Sequence, residues 1–127
     1  MTREDRQLLL KDLCGRLPHG VKVLQNNGIE SILDGCPSKK EYCFNLIWDS
    51  HKGYWNQCQA VITEFKPYLR SMSSMTEEER RELSELTTFT IWTPKVYEWY
   101  IKHHFDIHNL IEKGLALVAP EGMYKIE

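Results

Sequence analysis

Beyond a short first helix, the apolar rhythm of this chain changes from strand to helix at one place, and the change limits the folds open to it. Ahead of Lys66-Pro67 the apolar residues tend to recur at every second position; beyond Thr76 they recur at helical spacing. Pro67 has no amide to give to a ladder, so a strand through Ala60-Val61-Ile62 is expected to end by Lys66. A polar stretch, Arg70-Ser71-Met72-Ser73-Ser74-Met75, then leads to Thr76-Glu77-Glu78-Glu79. Thr76 and Glu79 have capping-box spacing, in which each side chain accepts from the amide of the other. Three glutamates at the positive end of the helix dipole add to this start. The spacing predicts a helix from about Glu77 to Leu86. It is polar on most sides, with Leu83 and Leu86 as a narrow apolar stripe. Glu77–Arg81 and Arg81–Glu85 are i,i+4 pairs of a few tenths of a kcal/mol, and such a charged run reads first as a solvated face.

A chain of 127 residues with 42% hydrophobic content has room for one domain, residues 1–127, and for a core that needs no staples. The net charge of −2 supplies no general attraction to nucleic acid or to an anionic membrane. Glu4 and Asp5 stand where a signal peptide would be basic, and the apolar run Leu8-Leu9-Leu10 is too short for a leader or a span. Cytoplasmic residence is the simplest reading, which makes Cys14, Cys36, Cys43 and Cys58 reduced thiols. None forms a CxxC pair, so a cysteine metal site is not expected.

Along the chain, Thr2 is placed to cap a first helix running to about Leu13, with Leu9, Leu10 and Leu13 inward and Arg3, Asp5, Gln7 and Asp12 mostly outward. Gly15 is the expected stop, and Pro18 bars continuation. Val21-Lys-Val-Leu-Gln25, the turn Asn26-Asn27-Gly28 and Ile29-Glu-Ser-Ile-Leu33 read as a hairpin. Asp34-Gly35-Cys36-Pro37-Ser38 reads as a loop. Tyr42, Phe44, Leu46 and Trp48 alternate as a third strand; Asp49-Ser-His-Lys-Gly53 is a turn, and Tyr54 to Ile62 a fourth strand. Thr93-Pro94 opens another helix, and Asp106 is placed to cap a further one that Gly114 ends, with Leu115 closing on Leu110. The residues after Ala119 read as an irregular strap.

The fold expected is therefore α+β: an N-terminal helix, a small antiparallel meander of about four strands that could curl into a barrel, then two or three C-terminal helices.

Three regions carry a resemblance. Leu8-Leu-Leu-Lys-Asp-Leu-Cys-Gly-Arg-Leu-Pro-His-Gly-Val-Lys-Val23 resembles the opening of a family of small uncharacterised proteins from gut anaerobes, often borne on phages or mobile elements. Lys66-Pro-Tyr-Leu-Arg70 with Ser73-Ser-Met-Thr-Glu-Glu-Glu79 resembles its middle. His103-His-Phe-Asp106, Leu110-Ile-Glu-Lys-Gly-Leu-Ala-Leu117 and Ala119-Pro-Glu-Gly-Met-Tyr124 resemble its end. The runs leave the strands between Leu24 and Glu64 unmatched. The resemblance implies an accessory protein of a mobile element and carries over no catalytic residue.

The chemistry-bearing candidates are few. His103, His104 and His108 are the one histidine cluster, and His104 and His108 have the i,i+4 spacing of two metal ligands. Phe105-Asp106 breaks that helix, so helix-end histidines are the blander and better-supported reading, and no cofactor is expected. Cys58 with His51 could pair as nucleophile and base, but no orienting motif accompanies them. The aromatic surplus, including Trp48, Trp55, Trp92 and Trp99, reads first as core. Trp99 lies off the face set by Val96, Tyr100 and His104, which points to the surface or an interface. The expected function is a non-enzymatic interaction protein, binding an unknown protein or itself through Tyr97, Trp99, Tyr100 and the Tyr68-Leu69-Arg70 loop. The competing class is a nucleic-acid-associated β-domain using Lys39, Lys40, Lys52, Lys66 and Arg70; a small metal protein or enzyme at His103, His104 and His108 is third.

Overall fold

The computed structural model describes residues 1–51, 53–86 and 93–124. Lys52, Trp92, the last three residues and the side chain of His51 lie outside the described residues. Helix α1 spans Arg3–Arg16 and is capped by Thr2, whose hydroxyl accepts from the Asp5 amide at 3.0 Å. It runs straight through Gly15, where a stop was expected. The left-handed residue is Gly20 (φ 66°), after a 3₁₀ turn at Leu17–His19. Arg16 explains the extension: its guanidinium returns to Asp12, one turn back, at 2.6 Å. That ion pair fastens the last turn more strongly than a glycine weakens it.

Four strands follow as the expected antiparallel meander: β1 (Lys22–Gln25), β2 (Glu30–Ser38), β3 (Cys43–His51) and β4 (Tyr54–Val61). The predicted loop over Asp34-Gly35-Cys36-Pro37-Ser38 is instead the second half of β2. Register shifts on either side of Gly35 are the reason. Bulges let a strand continue past residues that cannot keep a regular ladder. The turn predicted from Asp49 is likewise shorter, because β3 persists to His51 across another register shift.

The largest departure is β5 (Phe65–Leu69), a strand built around Pro67. It pairs antiparallel with β1, Val23 opposite Pro67, while β6 (Leu117–Val118) meets only Tyr68 and Leu69 on its other side. A proline needs only that its ring nitrogen face no partner carbonyl, and β5 has that freedom beyond the end of β6. The sheet order is β4-β3-β2-β1-β5-β6, mixed in direction and open rather than closed into a barrel.

Helices α2 (Glu77–Leu86) and α3 (Pro94–Lys102) follow β5. The predicted capping box is present: Thr76 N donates to Glu79 Oε1 at 2.9 Å, and Glu79 N to Thr76 Oγ1 at 3.2 Å. Thr93 caps α3 through the Val96 amide. The further helix expected after Asp106 is only a set of turns. Its Schellman closure nonetheless forms, Leu115 N donating to Leu110 O and Gly114 N to Ile111 O.

One face of the sheet and α1 enclose the main core: Leu9, Leu13, Val23, Leu33, Phe44, Leu46, Phe65 and Leu69, closed at the end by Leu110, Leu115 and Ala116. The other face carries Leu24, Ile32, Ile47 and Tyr68, which are half-buried, beside the exposed side chains of β4. No helix among the described residues is long and apolar enough to cross a membrane.

Candidate functional site

Of the residues expected to form an interaction surface, Arg70, Trp99 and Tyr100 gather around Phe105, while Tyr97 packs beside His108 and Tyr68 lies against Tyr124. Leu69 is fully buried, Arg70 is 8% exposed and Trp99 6%. Tyr68, Tyr97 and Tyr100 are half-buried. The expected exposure of Trp99 is thus corrected. Its ring packs parallel to Phe105 at 5.8 Å and edge-on to Tyr100 at 5.5 Å, and its indole N–H donates to Glu82 at 3.0 Å. Helical spacing alone set Trp99 apart from the apolar face of α3. The chain beyond α3, bringing Phe105 back, gives that second face something to cover.

Arg70 stands at the centre of this cluster. Its guanidinium grips Glu79 with two bonds of 2.7 Å, donates to the carbonyls of Ser74 and His103, and lies 4.2 Å from the Phe105 ring. Burial pushes the Glu79 carboxyl up, but the bonds from Arg70 and Thr76 outweigh it and hold the group below the ordinary glutamate value. Arg70 is therefore committed to the fold, and the nucleic-acid reading loses its best cation. Lys39, Lys40 and Lys66 stay exposed, on a turn and a strand that do not adjoin.

A second ion pair of the same form ties α1 to the C-terminal turns. Asp12, expected outside, is fully buried because Arg16 and His108 both bond to it. Arg16 donates to both carboxylate oxygens, at 2.6 and 3.1 Å, and to the Phe105 carbonyl at 2.7 Å. His108 Nδ1 lies 2.6 Å from the same carboxylate. Burial raises the Asp12 carboxyl and the bonds from His108 and Arg16 lower it, the net being below the usual aspartate value.

The three histidines consequently separate. His108 belongs to Asp12. His103 sits 4.3 Å from the Trp99 ring and 3.5 Å from Glu79, with burial keeping it below its ordinary value. His104 adopts a left-handed backbone (φ 65°) and stacks on Tyr124 at 3.8 Å. Burial and the nearby Arg16 push it down to about 4, and its Nδ1 has no hydrogen-bond partner among the described residues. Among the described residues no group of three or more His, Cys, Asp or Glu is arranged to hold a metal ion. Cys58 lies opposite Leu46, and its thiol faces Gln25 at 3.8 Å. Burial and Glu64 raise that thiol, the reverse of what a nucleophile needs.

The fourth strand, β4, was expected, but the sequence reading missed that it forms an exposed edge. Among the described residues it is one of the two outer strands of the sheet, and Tyr54 and Trp55 are 74% and 59% exposed on it. The signal was there in the residues: from Tyr54 to Val61 the strand has no charge and no proline. Protected edges ordinarily carry one or the other. No family model matches this chain, and neither a curated protein nor a solved structure matches it.

Proposed function

We propose that this protein is a non-enzymatic interaction protein whose binding element is the β4 edge. The supporting observation is the pair Tyr54–Trp55, two large aromatic side chains left in water on an uncharged edge strand. Adjacent aromatics of this kind are the usual anchors of an interface, and an unpaired backbone beside them supplies the hydrogen bonds. The ion pairs and histidines that could have suggested chemistry each have a structural use. An accessory role in a phage or mobile element, as the resemblance implies, fits a small chain of this kind.

The test is capture from lysate of its own host, with nuclease present, by the wild-type chain and by Tyr54→Ser/Trp55→Ser. A discrete protein held by the first and lost by the second supports the reading. Retention that disappears with nuclease moves the assignment to nucleic acid, and equal capture by both chains removes β4 from it.

A further inference from the structure

We propose that β4 pairs antiparallel with β4 of a second copy, around a twofold axis at Cys58, to give one continuous sheet through a dimer. The inference rests on reading β4 as the binding edge and names its occupant.

The hydrogen-bond parity of the strand comes first. Ile62 N donates to Tyr42 O, and the ladder beyond runs Cys43–Val61, Phe44–Ala60, Asn45–Gln59. Bonded pairs alternate along an antiparallel ladder, so even-numbered residues of β4 turn their backbone groups toward β3. Odd-numbered Trp55, Gln57, Gln59 and Val61 turn theirs outward. Val61 confirms the parity, because its amide is taken by Glu64 at 2.9 Å. Among the described residues, Trp55, Gln57 and Gln59 remain as the open edge.

Symmetry then restricts the register. A twofold axis normal to the sheet keeps every side chain on its own face, so the axis must pass beside a residue facing its own copy. With the axis at Cys58, Gln57 faces the partner's Gln59 at a backbone-bonded position, twice, and Trp55 meets the partner's Val61, twice, through side chains alone, since Glu64 holds both the amide and the carbonyl of Val61. Trp55 and Val61 are the two exposed apolar residues on that face of β4, at 59% and 40%. An aromatic against a β-branched residue is a favourable cross-strand pair, and two glutamine amides can bond to each other. Moving the axis to Gln57 would set Trp55 against the partner's Gln59 and waste both apolar contacts.

A second copy is the occupant because the strand is neutral throughout and meets no like charge in itself. A charged partner strand would find no complement here. The opposite side of the sheet ends in the two-residue β6, a short edge of the protected kind. Trp55 and Val61 offer roughly 200 Å² per copy, and the eight-residue backbone edge must supply the rest of the about 600 Å² per partner that a small specific interface buries. Such an interface makes a dimer that depends on concentration.

Sedimentation equilibrium of the full chain at micromolar concentrations tests this. Wild type is expected as a monomer–dimer equilibrium. Gln57→Lys/Gln59→Lys sets lysine against lysine twice and should weaken the dimer about tenfold, while Gln57→Lys/Gln59→Glu sets opposite charges face to face and should restore it. Both sites are exposed, so thermal midpoints should stay near that of wild type. A monomeric wild type, or a dimer indifferent to the lysines, overturns the proposal; weakening in both variants overturns the Cys58 axis. A monomer that still loses its captured protein on Tyr54→Ser/Trp55→Ser would overturn self-pairing alone and leave the edge reading standing.

Discussion

Arg70 and Glu79 face each other as a two-pronged pair, both nitrogen–oxygen distances being 2.7 Å, and the same carboxylate closes the capping box of α2. One side chain thereby starts a helix and fastens it to the end of β5. Removing the carboxylate leaves the Arg70 charge buried without its partner, which costs far more than the cap itself. Glu79→Ala is expected to lower unfolding stability by about 3 kcal/mol, against about 1 for Thr76→Ala. Urea melts of the two variants check this; equal losses would mean that Arg70 finds another partner.

The two exposed and buried tryptophans should behave oppositely. Trp99→Ala removes an interior ring packed on Phe105 and should cost about 3–5 kcal/mol. Trp55→Ser removes an exposed ring and should leave stability within about 0.5 kcal/mol. Thermal melts of both variants decide it, and a stable Trp99→Ala protein would return that residue to the surface.

Acid should loosen the C-terminal strap before it unfolds the rest. His104 in the folded chain titrates at about 4, well below its unfolded value near 6.5. The unfolded chain therefore binds the extra proton first, and the stabilisation is complete above pH 6.5 and fades down to about 4. Allowing for water contact, the loss is roughly 2 kcal/mol. Asp12 and Glu79, both held low, contribute above the ordinary carboxylate range and lose it only as pH falls through their lower folded values. His104→Asn, which tolerates the left-handed backbone, should flatten stability between pH 4 and 6.5 in pH-dependent melts. An unchanged slope would assign it elsewhere.

Gly15 and Gly20 test where α1 stops. Gly15→Ala should stabilise by about 0.5–1 kcal/mol, because the position is helical and the added methyl meets Tyr97 Oη at an ordinary 3.6 Å. Gly20→Ala should destabilise, since φ is 66° there. The opposite signs in a denaturant titration would restore Gly15 as the stop.

Local chemistry made much of this fold legible in the residues. Thr2, Thr76 and Thr93 each announced a helix, and Asn26-Asn27-Gly28 and the alternation around Phe44 announced strands, because caps, turns and pleats act over a few neighbouring residues. The Schellman closure at Gly114 was readable for the same reason, although the helix it should end did not form. The neutral edge of β4 was equally present in the sequence, but only its place at the end of the sheet gives neutrality a meaning.

What the tertiary structure alone decided are the matters that depend on residues far apart in the chain. Pro67 lies in a strand because β1 pairs with it on one side and β6 stops short of it on the other. Asp12 is buried because Arg16 and, 96 positions away, His108 hydrogen-bond to it. Trp99 is interior because Phe105 returns over it, and Arg70 is bound rather than free because Glu79 is folded back against it. Burial and charge pairing are properties of the folded neighbourhood, and no local spacing encodes which distant side chain will arrive to complete it.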